Sequence, residues 1–219
     1  MHILLLDQRL GDRPCPELET LAGTLSVDGV RVSICCPIVG EPEQGLARAD
    51  HAWPIQLDLR PGSGHLHDWN GFLKRVGSGA QTLSAAAAEL ADVPLGLLRE
   101  AVRRAVTTAV DESDVDVIFV SQAGLLVEFA IETGPPVAAH ADGRDLAVLK
   151  RAGRLREIVA ASLSSCELLA ADGGATADHL GSDWIEHDPE RPIETWPLAG
   201  SAERIVAACR TALERRFTP

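Results

Sequence analysis

The sequence lacks the features that would place the chain in a membrane or on nucleic acid. No run reaches the ~18 consecutive apolar residues that a membrane-spanning helix needs. The N-terminus has no basic segment and a short apolar run that stops at Asp7, which predicts a first β-strand rather than a signal peptide. Basic residues are also scarce: 20 Lys and Arg face 32 Asp and Glu, for a net charge of −12. We therefore expect neither nucleic acid nor a membrane surface as a partner.

Several catalytic and ligand-binding motifs are absent as well. There is no CxxC pair, GxGxxG fingerprint, P-loop, GxSxG elbow or HExxH, which leaves zinc-protease, nucleotide-kinase and elbow-type hydrolase functions without residues to carry them. His65 and His67 form a His-x-His pair, but nothing nearby completes a site of three or four ligands. We expect no metal and no cofactor. Three of the five cysteines lie in apolar runs, which favours a reducing, cytoplasmic compartment.

Apolar runs alternate with helical patterns along the chain. This alternation predicts a doubly wound, mostly parallel Rossmann-like α/β sheet of six to seven strands in a single domain. We expect the domain to span residues 1–188, followed by a Pro-rich linker at 189–200 and an amphipathic helix at 201–219 that packs back on the domain. The predicted strands are His2–Leu6, Val30–Cys36, Asp116–Val120, Pro136–Ala141 and Glu167–Ala171, with weaker candidates at Trp53–Leu59 and Asp183–Glu186.

A cluster of polar residues follows the strand that ends at Ala141. His140 and Asp142 would point to one face of an extended strand, Gly143 lets the chain turn, and Asp145 can cap the next helix. Because ligands bind at the carboxyl ends of parallel strands, this cluster, with Arg144, is a candidate site for a hydroxylated ligand. The same residues are equally typical of a helix cap, a turn and a solvated arginine.

Two neighbouring loops offer further candidates. Ser121 and Gln122 end the preceding strand, and the small residues after them would leave helix N-terminal amides open to an anion or a hydroxyl. The loop after the first strand, Asp7–Asp12, is the other candidate, and Gly11 is its glycine. Ordinary turns are the favoured explanation of both segments.

The order and spacing of these segments resemble the N-terminal domain of family 4 glycosyltransferases, which have the GT-B fold. The similarity covers about residues 1–188, and it is strongest from Asp114 to Leu180. In that family the N-terminal Rossmann-like domain holds the sugar acceptor, and a second such domain holds the sugar nucleotide. The resemblance therefore implies the acceptor-side half of a GT-B enzyme.

Departures from the family pattern fall in the expected site. Gly11 stands alone where the family has a glycine pair, and Phe119 and Ser121 lie on a strand that commonly ends in histidines. Asp142 takes the position of a family histidine that lines the acceptor and the transferred sugar, with His140 two positions earlier. The resemblance makes Asp142 the catalytic candidate. The substrate-binding candidates are Gly11, Ser121, Gln122, His140, Gly143, Arg144 and Asp145.

The family's glutamate-rich donor motif does not occur in these 219 residues. The resemblance thus implies an acceptor-binding domain that is inactive alone and performs hexosyl transfer only when a donor domain completes it. Its expected partners are a sugar or glycosylated acceptor and a separate donor-domain protein, and a homodimer is a further way to cover apolar surface. A non-catalytic binding or scaffold module that kept the fold remains the alternative, and a single-domain enzyme with a small-molecule ligand is a third.

Overall fold

A parallel β-sheet forms the centre of the molecule. The computed structural model describes residues 1–8, 16–27, 29–38, 51–57, 61–77, 81–185, 191–198 and 200–217. Within these ranges the sheet has seven strands in the order β3-β2-β1-β4-β5-β6-β7, all parallel, which confirms the predicted doubly wound sheet. The strands are β1 (His2–Leu6), β2 (Arg31–Ile38), β3 (His51–Gln56), β4 (Val117–Val120), β5 (Val137–Ala141), β6 (Leu168–Ala171) and β7 (Glu194–Thr195).

Helices cover both faces of the sheet and create two apolar cores. Their bounds are α1 (Pro16–Val27), α2 (Leu66–Gly77), α3 (Leu83–Ala87), α4 (Asp92–Ser113), α5 (Leu125–Glu132), α6 (Gly143–Leu149), α7 (Arg154–Ser164), α8 (Gly174–Asp183) and α9 (Ala202–Phe217). Helices α2 to α8 pack on one face with Leu4, Leu6 and Val120, whereas α1 and α9 pack on the other with Leu5 and Phe119. The central strands are apolar throughout because both of their faces are buried.

The C-terminal helix α9 lies on the sheet. Its buried stripe, which includes Ile205, Cys209 and Ala212, packs against β4, β5 and β6 and touches α1. The spacing of these residues is that of one helix face. Near the helix end, Arg215 Nη1 donates to the carbonyl oxygen of Glu167 over 2.7 Å, which ties α9 to the start of β6.

The last strand lies where the sequence predicts a linker. Strand β7 pairs with β6 within residues 189–200, and the ring of Trp196 stacks near Phe119 at 6.3 Å between centroids. The strand predicted at Asp183–Glu186 was wrong in its described part, since Asp183 is the last residue of α8 and Trp184 is its C-cap. The buried side chain of Trp196 holds this two-residue strand in place, and the periodicity of the sequence does not reveal such a contact.

Helix α2 occupies much of the segment that the sequence left irregular. Trp69, Phe72 and Val76 are buried, and their spacing of three and four residues places them on one face. The rings of Trp69 and Phe72 stack at 4.8 Å. None of the helices in the described part of the chain is both long and apolar enough to cross a membrane.

The packing of α9 is testable with one buried and one exposed residue of the same helix. Ile205→Ala should lower the free energy of unfolding by about 2–5 kcal/mol, because it leaves a cavity against the sheet. Arg204→Ala, on the exposed side, should change it by less than about 0.5 kcal/mol. Chemical denaturation measures both, and equal effects of the two substitutions would contradict the packing described.

Candidate functional site

The carboxyl ends of β1 and β4 lie side by side, and the edge formed by the residues that follow β1, β4 and β5 is called the crevice below. These strands are neighbours, and the chain leaves β1 towards β2 on one side of the sheet and leaves β4 towards β5 on the other. Such a reversal of strand order is where open α/β sheets bind ligands. The residues that follow the strands here are Asp7 and Gln8 after β1 and Ser121 and Gln122 after β4, while α6 begins directly after β5.

A carboxylate and a hydroxyl join the two central strand ends. Ser121 Oγ donates to Asp7 Oδ2 over 2.8 Å, and both side chains are fully buried. The backbone holds the pair in register, since Ser121 N donates to the Leu6 carbonyl at 2.9 Å. Ser121 therefore lies directly after β4, and its hydroxyl is already used by Asp7. From the candidate loop Asp7–Asp12 the sequence analysis named Gly11 rather than Asp7 as the binding residue, although Asp7 is the first polar residue after an apolar strand.

Gln8 connects β1, β4 and α3 through one side chain. Its Nε2 donates to the carbonyl oxygen of Gln122, and its Oε1 accepts from both the backbone N–H of Ser84, at 3.1 Å, and the Ser84 hydroxyl. Ser84 Oγ in turn accepts from Leu125 N at 2.8 Å. The first amide of α5 is thus occupied by a protein hydroxyl rather than open to an anion. Gly124 fits here because an added Cβ would collide with Ser84 and Gln8.

Asp145 is the most perturbed acid of the crevice. Thr82 Oγ1 donates to its Oδ1 over 2.7 Å, whereas its Oδ2 is buried without a hydrogen-bond partner. The residue is 4% exposed, and burial raises the pKa of its carboxyl to about 6, with smaller upward contributions from the charges of Asp142 and Asp7. The hydrogen bond from Thr82 acts in the opposite direction.

The turn into α6 uses Asp142 as the cap. Its carboxylate accepts from Arg144 N at 2.8 Å, so Asp142 is the N-cap that the sequence assigned to Asp145, which lies in the first helical turn. Arg144 also approaches Asp142 with its guanidinium at 3.4 Å, and its side chain is 93% exposed. Gly143 lies against α8, because an added Cβ would come within 2.8 Å of Thr176 Oγ1.

His140 does not join this group. Its Nε2 lies 2.8 Å from the carbonyl oxygen of Trp196, its ring packs on the Trp196 ring at 4.7 Å, and it is 2% exposed. Burial lowers the pKa of the imidazole. Asp142 keeps an extended backbone after the strand ends at Ala141, and its carboxylate accepts from the first turn of α6, whereas the His140 ring packs on Trp196.

The remaining candidates from the sequence are Gln122, Gly11 and the pair His65 and His67. Gln122 is 8% exposed, and its side-chain Oε1 is buried without a partner. Gly11 lies outside the described residues. His65 ends a short 3-10 helix, and within the described ranges no three His, Cys, Asp or Glu side chains are placed to hold a metal ion. The crevice therefore combines Asp7, Gln122 and Asp145 with Asp142 at its rim, an arrangement rich in hydrogen-bond acceptors.

The close contact at Gly124 predicts a steric penalty. Gly124→Ala should cost about 1–3 kcal/mol of stability, because the new methyl group meets Ser84 and Gln8 while the extended backbone itself suits any residue. Gly96→Ala is the matched control, since Gly96 has open space inside α4 and should gain about 0.5–1 kcal/mol. Thermal or urea denaturation compares them, and a stabilised Gly124→Ala variant would refute the Gln8–Ser84 contact.

The raised pKa of Asp145 predicts a pH-dependent stability. Between the unperturbed pKa of 3.8 and about 6, the folded state keeps a proton that the unfolded state has released, so this group lowers stability as pH rises. Relative to Asp145→Asn, the wild type should lose about 2–3 kcal/mol between pH 4 and pH 7. Denaturation curves at both pH values measure the difference. Glu112→Gln, at an exposed position far from this edge, should show no such trend.

Comparison with known proteins identifies the fold. No protein-family model and no curated protein matches this chain. Among solved structures, it is similar to a chain of sucrose-phosphate synthase from Thermosynechococcus elongatus, with 10% identity, 100% of both chains covered and a TM-score of 0.57. UDP-GlcNAc 2-epimerase from Neisseria meningitidis bound to UDP-GlcNAc follows with 12% identity, covering 99% of this chain and 54% of that one, at a TM-score of 0.49.

MurG from Acinetobacter baumannii is similar with 14% identity, covering 80% of this chain and 42% of that one, at a TM-score of 0.45. The chain thus spans about half the length of the epimerase and of MurG. At such identities the similarity shows the fold alone. The chain is an α/β domain with a seven-stranded Rossmann-like sheet that corresponds to a single half of the GT-B fold.

Proposed function

We propose that this chain is the acceptor-side half of a sugar-transfer system, of the type found at the N-terminus of family 4 glycosyltransferases. It binds a sugar or glycosylated acceptor in the crevice at the ends of β1, β4 and β5. A separate donor-domain protein supplies the sugar nucleotide. Glycosyl transfer needs cationic groups or helix amides that hold the leaving diphosphate. Because the donor-domain protein holds the sugar nucleotide, the chain alone is inactive.

The observation that carries this proposal is the crevice itself, which is built for hydrogen bonding and lies at the switch point of a GT-B half. Asp145 and Gln122 present buried acceptor oxygens from the ends of neighbouring strands. The charged groups that act on Asp145 are Asp142, Asp7 and Arg144, and the guanidinium of Arg144 already faces Asp142 in solvent. Such a site suits hydroxyl donors of a sugar and repels a diphosphate.

Apolar surface near the same edge supports a protein partner. Val93 and Leu97, in the first two turns of α4, and Val148 in α6 are large exposed apolar side chains. Because α4 runs antiparallel to the strands, its first turns lie towards their carboxyl ends. Val148 also lines a surface groove of about 370 Å³ between α3 and α6. A donor domain that closes over the crevice would cover these residues, and a second copy of this chain is the competing occupant.

A second candidate is a non-catalytic binding or scaffold module. The specific observation in its favour is that His140 and Asp142, the residues closest to the family's catalytic position, are both engaged in structural roles. Asp142 caps α6, and His140 anchors Trp196. Asp145 is then the only described acid of the predicted cluster with an unused buried oxygen, and it would serve ligand binding rather than proton transfer.

A reconstitution assay tests the proposal. The chain alone should not consume UDP-, GDP- or ADP-sugars, whereas adding a donor-domain protein encoded beside it should give transfer above the donor protein alone. Asp145→Ala and Gln122→Ala should each reduce that transfer at least tenfold, because they remove acceptors of the crevice, while Glu112→Ala on the opposite edge should not.

The outcomes separate the candidates. Robust transfer by this chain alone contradicts the proposal. Transfer that needs the chain but is unaffected by both crevice variants favours the scaffold function. Light scattering on the chain with and without the donor protein distinguishes a heterodimer from a homodimer.

A further inference from the structure

Two buried oxygens in the crevice have no donor. Asp145 Oδ2 and Gln122 Oε1 are both shielded from solvent and make no hydrogen bond, and their side chains are at least nine-tenths buried. They follow the adjacent strands β5 and β4, and the segment Thr82–Ser84 contacts both neighbourhoods through Asp145 and Gln8. An unsatisfied buried acceptor destabilises the protein, and more so when it is charged. A ligand that supplies donors to these atoms recovers that free energy.

The charge around these oxygens selects the kind of donor. Asp7 from β1 and Asp142 at the start of α6 both act on Asp145 as like charges, and the opposing charge is that of the solvent-facing Arg144. Within the described ranges the acids are not arranged to share a metal ion. The unmet requirement is therefore for a compact cationic donor rather than for a neutral one. An ammonium group meets it, because it carries positive charge and three N–H donors.

We propose that the crevice binds a sugar that carries a protonated amino group, with the ammonium on Asp145 Oδ2 and a neighbouring N–H or O–H on Gln122 Oε1. This inference rests on the proposed function and names the chemical class of its acceptor. A neutral sugar leaves the Asp145 charge buried and unpaired, which is costly. A sugar phosphate adds a further negative charge to those of Asp145, Asp7 and Asp142 and is repelled.

Matched monosaccharides test the inference on the intact chain at pH 7. Binding of D-glucosamine, D-glucose and D-glucose 6-phosphate is measured by titration with NMR detection, which reaches weak affinities. Glucosamine should bind at least about tenfold tighter than glucose, as expected for a charge-assisted hydrogen bond. Glucose 6-phosphate should bind more weakly than glucose.

A single substitution assigns the preference to Asp145. Asp145→Asn keeps the shape and the oxygen that accepts from Thr82, but it removes the charge, so glucosamine should fall to the affinity of glucose. Glucose itself should change by less than about threefold, since a neutral hydroxyl loses little when the charge is removed. Glu112→Gln is the control, with wild-type binding of all three sugars. A melting curve checks that each variant is folded, and the wild-type comparison stands if the Asn variant is not.

Each outcome decides a specific statement. Equal affinity for glucosamine and glucose, or a preference for the phosphate, overturns the amino-sugar inference and leaves the acceptor role in place. Retention of the glucosamine preference in Asp145→Asn also overturns it. If none of the three sugars binds to the wild type, both the inference and the proposed acceptor role are contradicted.

Discussion

The side-chain amide of Gln8 joins the elements on which the crevice depends. It reaches from the end of β1 to the carbonyl of Gln122 after β4, and it holds the start of α3 through Ser84. Ser84 then binds the first amide of α5. A buried amide that uses both its donor and its acceptor in this way fixes three chain segments relative to one another, since any displacement leaves polar groups unpaired. The strand ends can therefore present Asp7 and Asp145 in fixed positions.

Asp145 lies beside these fixed segments, although burial of its carboxyl group does not favour folding. Its carboxylate is buried with one oxygen unpartnered, and the pKa of the group is raised because the charged form is poorly solvated. Thr82 offsets only part of that cost with a single hydrogen bond. Groups of this kind are typical of functional sites, where stability is given up for binding or chemistry. Asp142, by contrast, is satisfied by the cap of α6 and needs no ligand.

The sequence predicts the fold well where burial is two-sided and continuous. Strands β1, β4 and β5 were recognisable from their apolar runs, because the central strands of a parallel sheet face helices on both sides. Strand β7 was not recognisable, since two residues carry no periodicity and Trp196 is held by distant partners. Helix α2 did carry the signal, in the spacing of Trp69, Phe72 and Val76, but the surrounding Gly, Pro and His residues obscured it.

The same reasoning limits what could be predicted of the site. Ser121, Gln122 and Asp145 could be predicted as candidates because strand ends meet at one edge, a rule that needs only the order of elements. Thr82 and Ser84 could not be found this way, because Ser84 is 76 residues from Gln8 in the chain and hydrogen-bond pairing leaves no sequence period. The contact of His140 with Trp196 could not be predicted, because alternation gives the face of a side chain but not what covers that face.

That covering helix also explains where a partner can bind. Helix α9 and Trp196 bury the face of the sheet that contains Phe119, Ala138 and His140, and the opposite face is buried under α2 to α8. Both faces of the central strands are therefore shielded from solvent without a second protein. The carboxyl edge differs, since exposed Val93, Leu97 and Val148 lie towards it and unsatisfied acceptors lie within it. Under the proposed function, binding at this edge adds to a domain whose two faces are already covered, and recognition there depends on the chemistry of Asp145 and Gln122 rather than on the needs of folding.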